Sequence, residues 1–222
     1  MQRKSLFRIP LLIFGAGGHG RVVADTAMAR GVYDVVGFVD SSIDVGTVVY
    51  RGIRVVANDL GGLGNDYLLN HIVVAVGDNA IRNSLFCEAR EMFIINESIV
   101  HPTAVISPSA HIGSGTVVFA NAVINAGAYI GNNVIINTKA SIDHDCVIGD
   151  HSHICPGATI AGNVSVGEGS QISVGCSVRN AVSIGKWSLV GVGSVVVNDI
   201  PDSVVSYGCP ARVVKQHNIG EV

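Results

Sequence analysis

Between residues 100 and 197 an apolar β-branched side chain returns at every sixth position without a miss. The series runs Val100, Ile106, Ile112, Val118, Ile124, Ile130, Ile136, Ile142, Ile148, Ile154, Ile160, Val166, Ile172, Val178, Ile184, Val190 and Val196. Two positions earlier small residues dominate, among them Ala104, Ala110, Ala122, Ala140, Cys146, Ala158 and Ser170. A period of eighteen overlies the period of six, because Gly113, Gly131, Gly149, Gly167 and Gly185 each follow the apolar residue of every third repeat. Eighteen is three sixes. Three short strands per coil make a triangular prism, with one aliphatic residue pointing inward on each side and a small one in the tight space near each corner. The recurring glycine is expected at a turn that needs unusual backbone angles. Each coil then buries the apolar face of its neighbour. An ordinary β-sandwich would have to produce seventeen consecutive matches by chance, so a coiled stack of strands is the reading.

Residues 1–99 have a different pattern. Leu11–Phe14 reads as a strand, followed by Gly15-Ala16-Gly17-Gly18-His19-Gly20 and a helical pattern from Arg21 to about Arg30. Val35–Val39 is a second strand ending at Asp40-Ser41, and Ile72–Val76 a third. Beyond it Gly77 leads to Asp78, an expected N-cap for a helix carrying Ile81, Leu85 and Ala89. Strand, glycine turn, helix and strand predict a small, Rossmann-like α/β domain with a parallel sheet over 1–99, ahead of the all-β domain at 100–222. Arg3 and Lys4 precede an apolar stretch, but Ile9–Phe14 is only six residues and contains Pro10, so it reads as a strand and not a targeting signal. No run approaches the length needed to span a bilayer.

Composition narrows the partners. Charged residues are 14% of the chain against 48% hydrophobic, so the surface is poor in charge and part of it is expected to be hidden in an oligomer. A formal net charge of -3 argues against nucleic acid or an anionic membrane. The five cysteines, Cys87, Cys146, Cys155, Cys176 and Cys209, form no metal spacing, which fits reduced thiols in the cytoplasm.

The glycine loop carries two readings. Gly15, Gly17 and Gly20 after a strand, with Asp40 twenty residues beyond Gly20, fit the dinucleotide fingerprint. The physics asks only for a pyrophosphate at a helix N-terminus and polar groups at the end of the next strand. NAD and a nucleotide-linked sugar both satisfy it.

The hexapeptide array resembles the bacterial transferase hexapeptide family, whose coils wind left-handed. Together with the N-terminal GAGGHG segment, it resembles the sialic acid O-acetyltransferase and nucleotide-amino-sugar N-acetyltransferase group. The segments carrying the likeness are Gly15–Gly20, Val76-Gly77-Asp78-Asn79, Asn137-Thr138, Asp143-His144-Asp145-Cys146 and Gly208-Cys209-Pro210-Ala211-Arg212. The resemblance implies a left-handed parallel β-helix, a homotrimer, acetyl-CoA as co-substrate, and surface glycan biosynthesis. It tips the glycine loop towards a nucleotide-linked sugar and away from NAD, with Gly17, Gly18 and His19 lining that site. Asp40 and Ser41 would border the base, Gly77 would lie near the diphosphate, and Asn137 joins the substrate set.

Acetyl transfer needs a base for the attacking group's proton and a place for the oxyanion. Among eight histidines, His144 stands out on coil arithmetic, since the residues one coil below and above are Ala126 and Gly162. A ring there has room for a ligand. Asp143 and Asp145 flank it, and a carboxylate that fixes the imidazole tautomer is the expected partner. The alternative is a solvated polar patch at a corner. The resemblance makes His144 the general base and Asp145 its partner, although neighbours on a strand point to opposite faces, so that contact requires a bend. It also places His153, Val174, Gly175 and Val192 along acetyl-CoA, whereas for Arg212 in the closing loop two readings stay open, a contact with a CoA phosphate and a solvated surface arginine. His151 is left as a surface residue, and His71 and His217 are expected to face solvent. Zinc held by His144, His151 and His153 is disfavoured, because nothing brings His144 to the other two. Two further readings stay open. One is O-acetylation of sialic acid; the other is a non-catalytic trimeric scaffold that senses nucleotides.

Overall fold

The computed structural model describes residues 8–63, 71–92 and 94–218. Arg3 and Lys4 lie outside them. The N-terminal part holds β1 (Ile9–Phe14), α1 (Gly18–Arg30), β2 (Tyr33–Val39), β3 (Val48–Tyr50), β4 (Ile53–Ala57), β5 (His71–Val74), α2 (Asn79–Glu91) and β6 (Ile95–Asn96). Its sheet has the order β3-β4-β2-β1-β5-β6 and is parallel except for β3, which runs antiparallel to β4. β1 is central and buried on both sides, which is why Leu11–Phe14 reads as a continuous apolar run.

Two expectations for this part change. α1 starts at Gly18, inside the glycine loop, and not at Arg21. Asp78 caps α2 as expected, its carboxylate accepting the Ile81 N–H at 2.8 Å. The buried stripe of α2, however, is Asn79, Arg82, Phe86 and Ala89, whereas Ile81 is 53% exposed. The helix is rotated so that a guanidinium, and not an isoleucine, enters the interior.

From Ile99 the chain forms two-residue strands stacked in parallel into three faces. The first face is β7 (Ile99–Val100), β10 (Val117–Val118), β13 (Ile135–Ile136), β16 (His153–Ile154), β19 (Gln171–Ile172) and β22 (Leu189–Val190). The second is β8 (Val105–Ile106), β11 (Val123–Ile124), β14 (Ser141–Ile142), β17 (Thr159–Ile160), β20 (Ser177–Val178) and β23 (Val195–Val196). The third is β9 (His111–Ile112), β12 (Tyr129–Ile130), β15 (Val147–Ile148), β18 (Ser165–Val166) and β21 (Ser183–Ile184). A closing pair, β24 (Val204–Gly208) and β25 (Ala211–Gln216), extends the first face.

This is a parallel β-helix of hexapeptide repeats joined to an α/β domain. The register is eighteen from β7 to β23, as Ile136 over Val118 and under Ile154 illustrates, and shortens to sixteen where β24 pairs with β22. The second residue of each strand points inward: Val118 through Val196 form one continuous core, with Val100, Ile106 and Ile112 partly buried at its open end. Ala122, Ala140, Cys146 and Ala158 are fully buried in the corners.

The recurring glycines do a different job from the one expected. None of Gly113, Gly131, Gly149, Gly167 and Gly185 has a positive φ. A Cβ on Gly149 would stand 2.6 Å from the Glu168 backbone nitrogen, and one on Gly167 would stand 2.6 Å from that of Lys186. These glycines let one coil approach the next. The left-handed turn residue comes two positions later, at Gly115, Asn133, His151, Gly169 and Trp187.

The two parts share a core. Outward-facing Ile99, Val117, Phe119 and Ile135 of the first face pack with Val23, Ala24 and Ala27 of α1. No described helix is long and apolar enough to cross a membrane.

Candidate active site

His144 and Asp145 occupy the turn between β14 and β15, at the corner joining the second and third faces. Asp145 has φ +56°, the left-handed conformation, and this supplies the bend that an extended strand would not. It swings the carboxylate back so that His144 Nδ1 lies 2.9 Å from Asp145 Oδ2. Asp143 accepts the His144 backbone N–H at 2.8 Å and the Asn125 amide at 2.9 Å, so it fixes the main chain and leaves the ring to Asp145. Because the Asp145 carboxylate accepts, Nδ1 carries the proton and Nε2 offers a lone pair outward. The hydrogen bond His144 donates to Asp145 raises the His144 pKa above its ordinary value, against desolvation and with help from the charges of Asp143 and Asp145.

Both members of the pair lie against glycine. A Cβ on Gly162, one coil above His144, would be 2.5 Å from Nε2. A Cβ on Gly127, one coil below Asp145, would be 2.5 Å from Oδ1. Sequence reasoning saw the room above the ring but missed the matching glycine under the carboxylate.

The other candidates gather elsewhere. His19, in the first turn of α1, sets its ring edge-on to Phe119 at 5.5 Å between centroids and 6.4 Å from the ring of His153. Asn137 joins them, its amide 3.1 Å from His153 Nε2, while its own Oδ1 accepts the Thr138 N–H. Among the described residues the buried His19 Nε2 and His153 Nδ1 have no hydrogen-bond partner, although the Gly77 backbone is near His153. Burial first, and the Arg82 charge second, push His19 down to about 4 and His153 down to about 3. Both rings are therefore neutral at physiological pH.

The glycine loop beside them divides its work. Gly15 has φ +111°, and a Cβ on it would reach the Ala75 carbonyl at 2.5 Å. Gly20 crosses the Gly15 carbonyl so closely that a Cβ would lie 1.8 Å from it. Gly17 and Gly18 are exposed with open space in front of them, at the uncapped N-terminus of α1. Asp40 turns inward: one carboxylate oxygen accepts the Ala16 N–H at 2.8 Å, and the other accepts the Ser42 N–H and hydroxyl. Its burial would raise its pKa, but these hydrogen bonds outweigh that and lower it. Ser41 is exposed beside it.

Val174 and Gly175, with Val192, line the corner between the first and second faces. Val174 is 47% and Val192 74% exposed, and nothing lies in front of Gly175. Arg212 is exposed on β25, one of its nitrogens donating to the Ala211 carbonyl at 2.9 Å.

Three minor expectations are corrected. His151 is buried, 7% exposed, because its left-handed turn tucks the ring under α2, with Nδ1 2.8 Å from the Asn133 amide and the ring edge-on to Phe86. His71 pairs with Glu97, and His217 Nδ1 lies 2.7 Å from the Trp187 carbonyl, so neither simply faces solvent. Among the described residues no cluster of three His, Cys, Asp or Glu side chains could hold a metal ion.

Each coil gives one strand to each face, so the corner bearing His144 stands opposite the first face, where His19, Asn137 and His153 meet. A single chain does not bring the two groups together.

Comparison with known proteins follows the same division. The model of the PglD N-terminal domain matches residues 10–89, and that of the bacterial transferase hexapeptide, six repeats, matches residues 127–162. A curated UDP-N-acetylbacillosamine N-acetyltransferase from Bacillus subtilis is 39% identical over 112 residues, 48% of this chain and 49% of that protein; the match thus spans about half the length of that relative. The acetyltransferase domain of PglB from Neisseria gonorrhoeae, solved with acetyl coenzyme A, is 39% identical with a TM-score of 0.87, over 93% of this chain and 100% of that one. PerB from Caulobacter crescentus, solved with CoA and GDP-perosamine, is 39% identical with a TM-score of 0.84, over 92% and 97%. With likeness of that depth along both the α/β part and the coils, the chain belongs to the nucleotide-amino-sugar N-acetyltransferase group of the bacterial transferase hexapeptide family.

Proposed function

We propose that the protein transfers the acetyl group of acetyl-CoA to the amine of a nucleotide-linked 4-amino-4,6-dideoxy sugar. UDP is the favoured carrier, with GDP or dTDP as alternatives, and the product serves surface glycan biosynthesis in the cytoplasm. The single observation behind this is the His144–Asp145 pair, an outward imidazole with Nδ1 held by a carboxylate and Nε2 free. His144 Nε2 takes a proton as the amine attacks the thioester carbonyl. The tetrahedral intermediate collapses with cleavage of the C–S bond, and the same proton passes to the departing sulfur, so that CoA leaves as the thiol and the sugar as an amide. A neutral amine is already a good nucleophile, so alignment of the two substrates supplies much of the rate.

In this reading residues 1–99 hold the nucleotide-sugar. The diphosphate lies at the open N-terminus of α1 near Gly17, Gly18 and His19, with Gly77 close by and Asp40 and Ser41 towards the base. Asp40 favours this over NAD, since both of its carboxylate oxygens are taken up by the loop and Ser42. Within 100–222, Asn137, His153, Val174, Gly175, Val192 and Arg212 border the acceptor and acetyl-CoA.

The active unit is a homotrimer in which one subunit's His144 faces the first-face pocket of a neighbour. Exposed Val105, Tyr129 and Val147, on the outward sides of the second and third faces, support burial against other subunits. O-acetylation of sialic acid shares the same architecture and is the competing reading.

Free thiol release, measured with acetyl-CoA and a panel of UDP-, GDP- and dTDP-linked amino sugars and sialic acid, tests the proposal. One amino sugar should release thiol, and His144→Ala should lower its turnover by about 100-fold or more. Release with sialic acid alone would overturn the N-acetyl reading. Full activity in His144→Ala would remove the histidine from its role.

A further inference from the structure

Arg82 is among the largest fully buried side chains of the protein, 1% exposed, and among the described residues no carboxylate is one of its hydrogen-bond acceptors. Six acceptors surround the guanidinium instead. Two are the Val76 and Gly77 carbonyls of the loop after β5, at 3.1 and 3.2 Å. One is the Asn79 side chain at 2.8 Å, whose amide in turn reaches the Gly169 carbonyl at 2.9 Å. The remaining three belong to the β-helix: Asn133 at 3.1 Å, His151 at 2.6 Å and Ser152 at 3.3 Å, all main-chain carbonyls. Burial pushes the guanidinium down to about 9, against the charge of Asp78, so it remains a cation at neutral pH.

A buried cation without a paired anion is costly unless its donors are all directed at oxygens, and here the fork of Arg82 spans three separate segments. Two of them lead into the candidate pocket. Gly77 belongs to the loop beside His153, and His151-Ser152 run directly into His153 at the start of β16. The charges facing the pocket rings point the same way. His19 meets Arg82, and His153 meets Arg82 and His19.

We infer that Arg82 is a positioning residue, clamping the Gly77 loop to the His151–Ser152 segment and so fixing the pocket where His19, Asn137 and His153 meet. This rests on the reading of that pocket as a substrate site. The guanidinium itself touches no substrate. It acts through the placement of His153 and through the positive field that helps keep both imidazoles neutral. Lysine would keep the charge but could not hold three segments with one ammonium group.

Arg82→Lys and Arg82→Met, each compared with wild type in the full-length protein, test the clamp in two ways. Steady-state kinetics should show at least a tenfold rise in KM for acetyl-CoA in both variants, with kcat changed much less, because a misplaced binding group weakens ground and transition states alike. Imidazole NMR should show displaced His153 resonances in both, and higher titration midpoints for His19 and His153 in Arg82→Met alone. A variant that loses melting temperature but keeps wild-type KM and His153 resonances would reduce Arg82 to a structural residue and overturn the inference. If wild type transfers no acetyl group to any acceptor, the functional reading fails while the resonances still decide the clamp. If neither variant folds, Asn79→Ser removes one acceptor and the Gly169 bridge, and should show the same KM rise at smaller amplitude. Its absence would count against the clamp.

Discussion

At the scale of single residues, the chemistry depends on what has been left out around one imidazole. A base works in its neutral form, and Asp145 holds the His144 pKa above the ordinary value. Activity should therefore fall as pH drops through a midpoint above that of free histidine. Asp145→Asn removes the charge and leaves at most a neutral amide acceptor for Nδ1, so the acid limb of the kcat/KM profile should move to lower pH while the plateau falls. An unmoved limb would separate the observed titration from His144. Gly162→Ala is a second test. Its backbone is not left-handed, so alanine is allowed there, but the new Cβ would meet Nε2 at 2.5 Å. The ring must turn aside, and a displacement near 1 Å at a reacting atom costs about 100-fold in kcat. Circular dichroism should stay unchanged; if turnover also stays unchanged, the glycine does not set the ring position.

Elements obey a different logic. A coil is a one-dimensional object whose register depends on its nearest neighbours, which is why a period counted along the sequence gives the inward residues correctly. The same count could not say why glycine follows every third repeat, because a turn conformation and a close approach leave the same mark in sequence. Gly149→Ala discriminates between them. Its Cβ would be 2.6 Å from a backbone nitrogen of the next coil, which cannot rotate away as a side chain can. We expect a loss of about 1–3 kcal/mol in urea unfolding, the usual cost of overpacking. No loss would mean that the coils can part there without cost. In α2, local pattern misled: Ile81, Leu85 and Ala89 share a face, yet Ile81 is exposed and Arg82 buried. Helix amphipathicity assumes that charge seeks water, and Arg82 finds carbonyls of another element instead.

For the whole molecule the separation of the two residue groups is decisive. His144 lies at the corner opposite the face that carries His153. If a site is assembled across subunits, a His144→Ala chain and a His153→Ala chain should complement each other. Random mixing in a cyclic trimer would leave about a quarter of the sites with both histidines. Co-expressed variants should then recover that fraction of wild-type thiol release, and a mixture no more active than its parents would place the whole reaction within one chain.

The sequence by itself determined the β-helix, its inward residues, the α/β domain ahead of it, the Asp78 cap and the nomination of His144. Each of these follows from spacing along the chain, which local backbone geometry converts directly into direction. Only the tertiary structure decided how Asp145 turns back onto the ring, that His151 is buried, that Asp40 closes the glycine loop, and that Arg82 joins the two parts. Those depend on groups 24 to 70 residues apart in the chain, as Ala16–Asp40 and Arg82–Ser152 show, or on one left-handed φ. No periodic pattern encodes such meetings, because a hydrogen bond between distant segments leaves the spacing of either one unchanged.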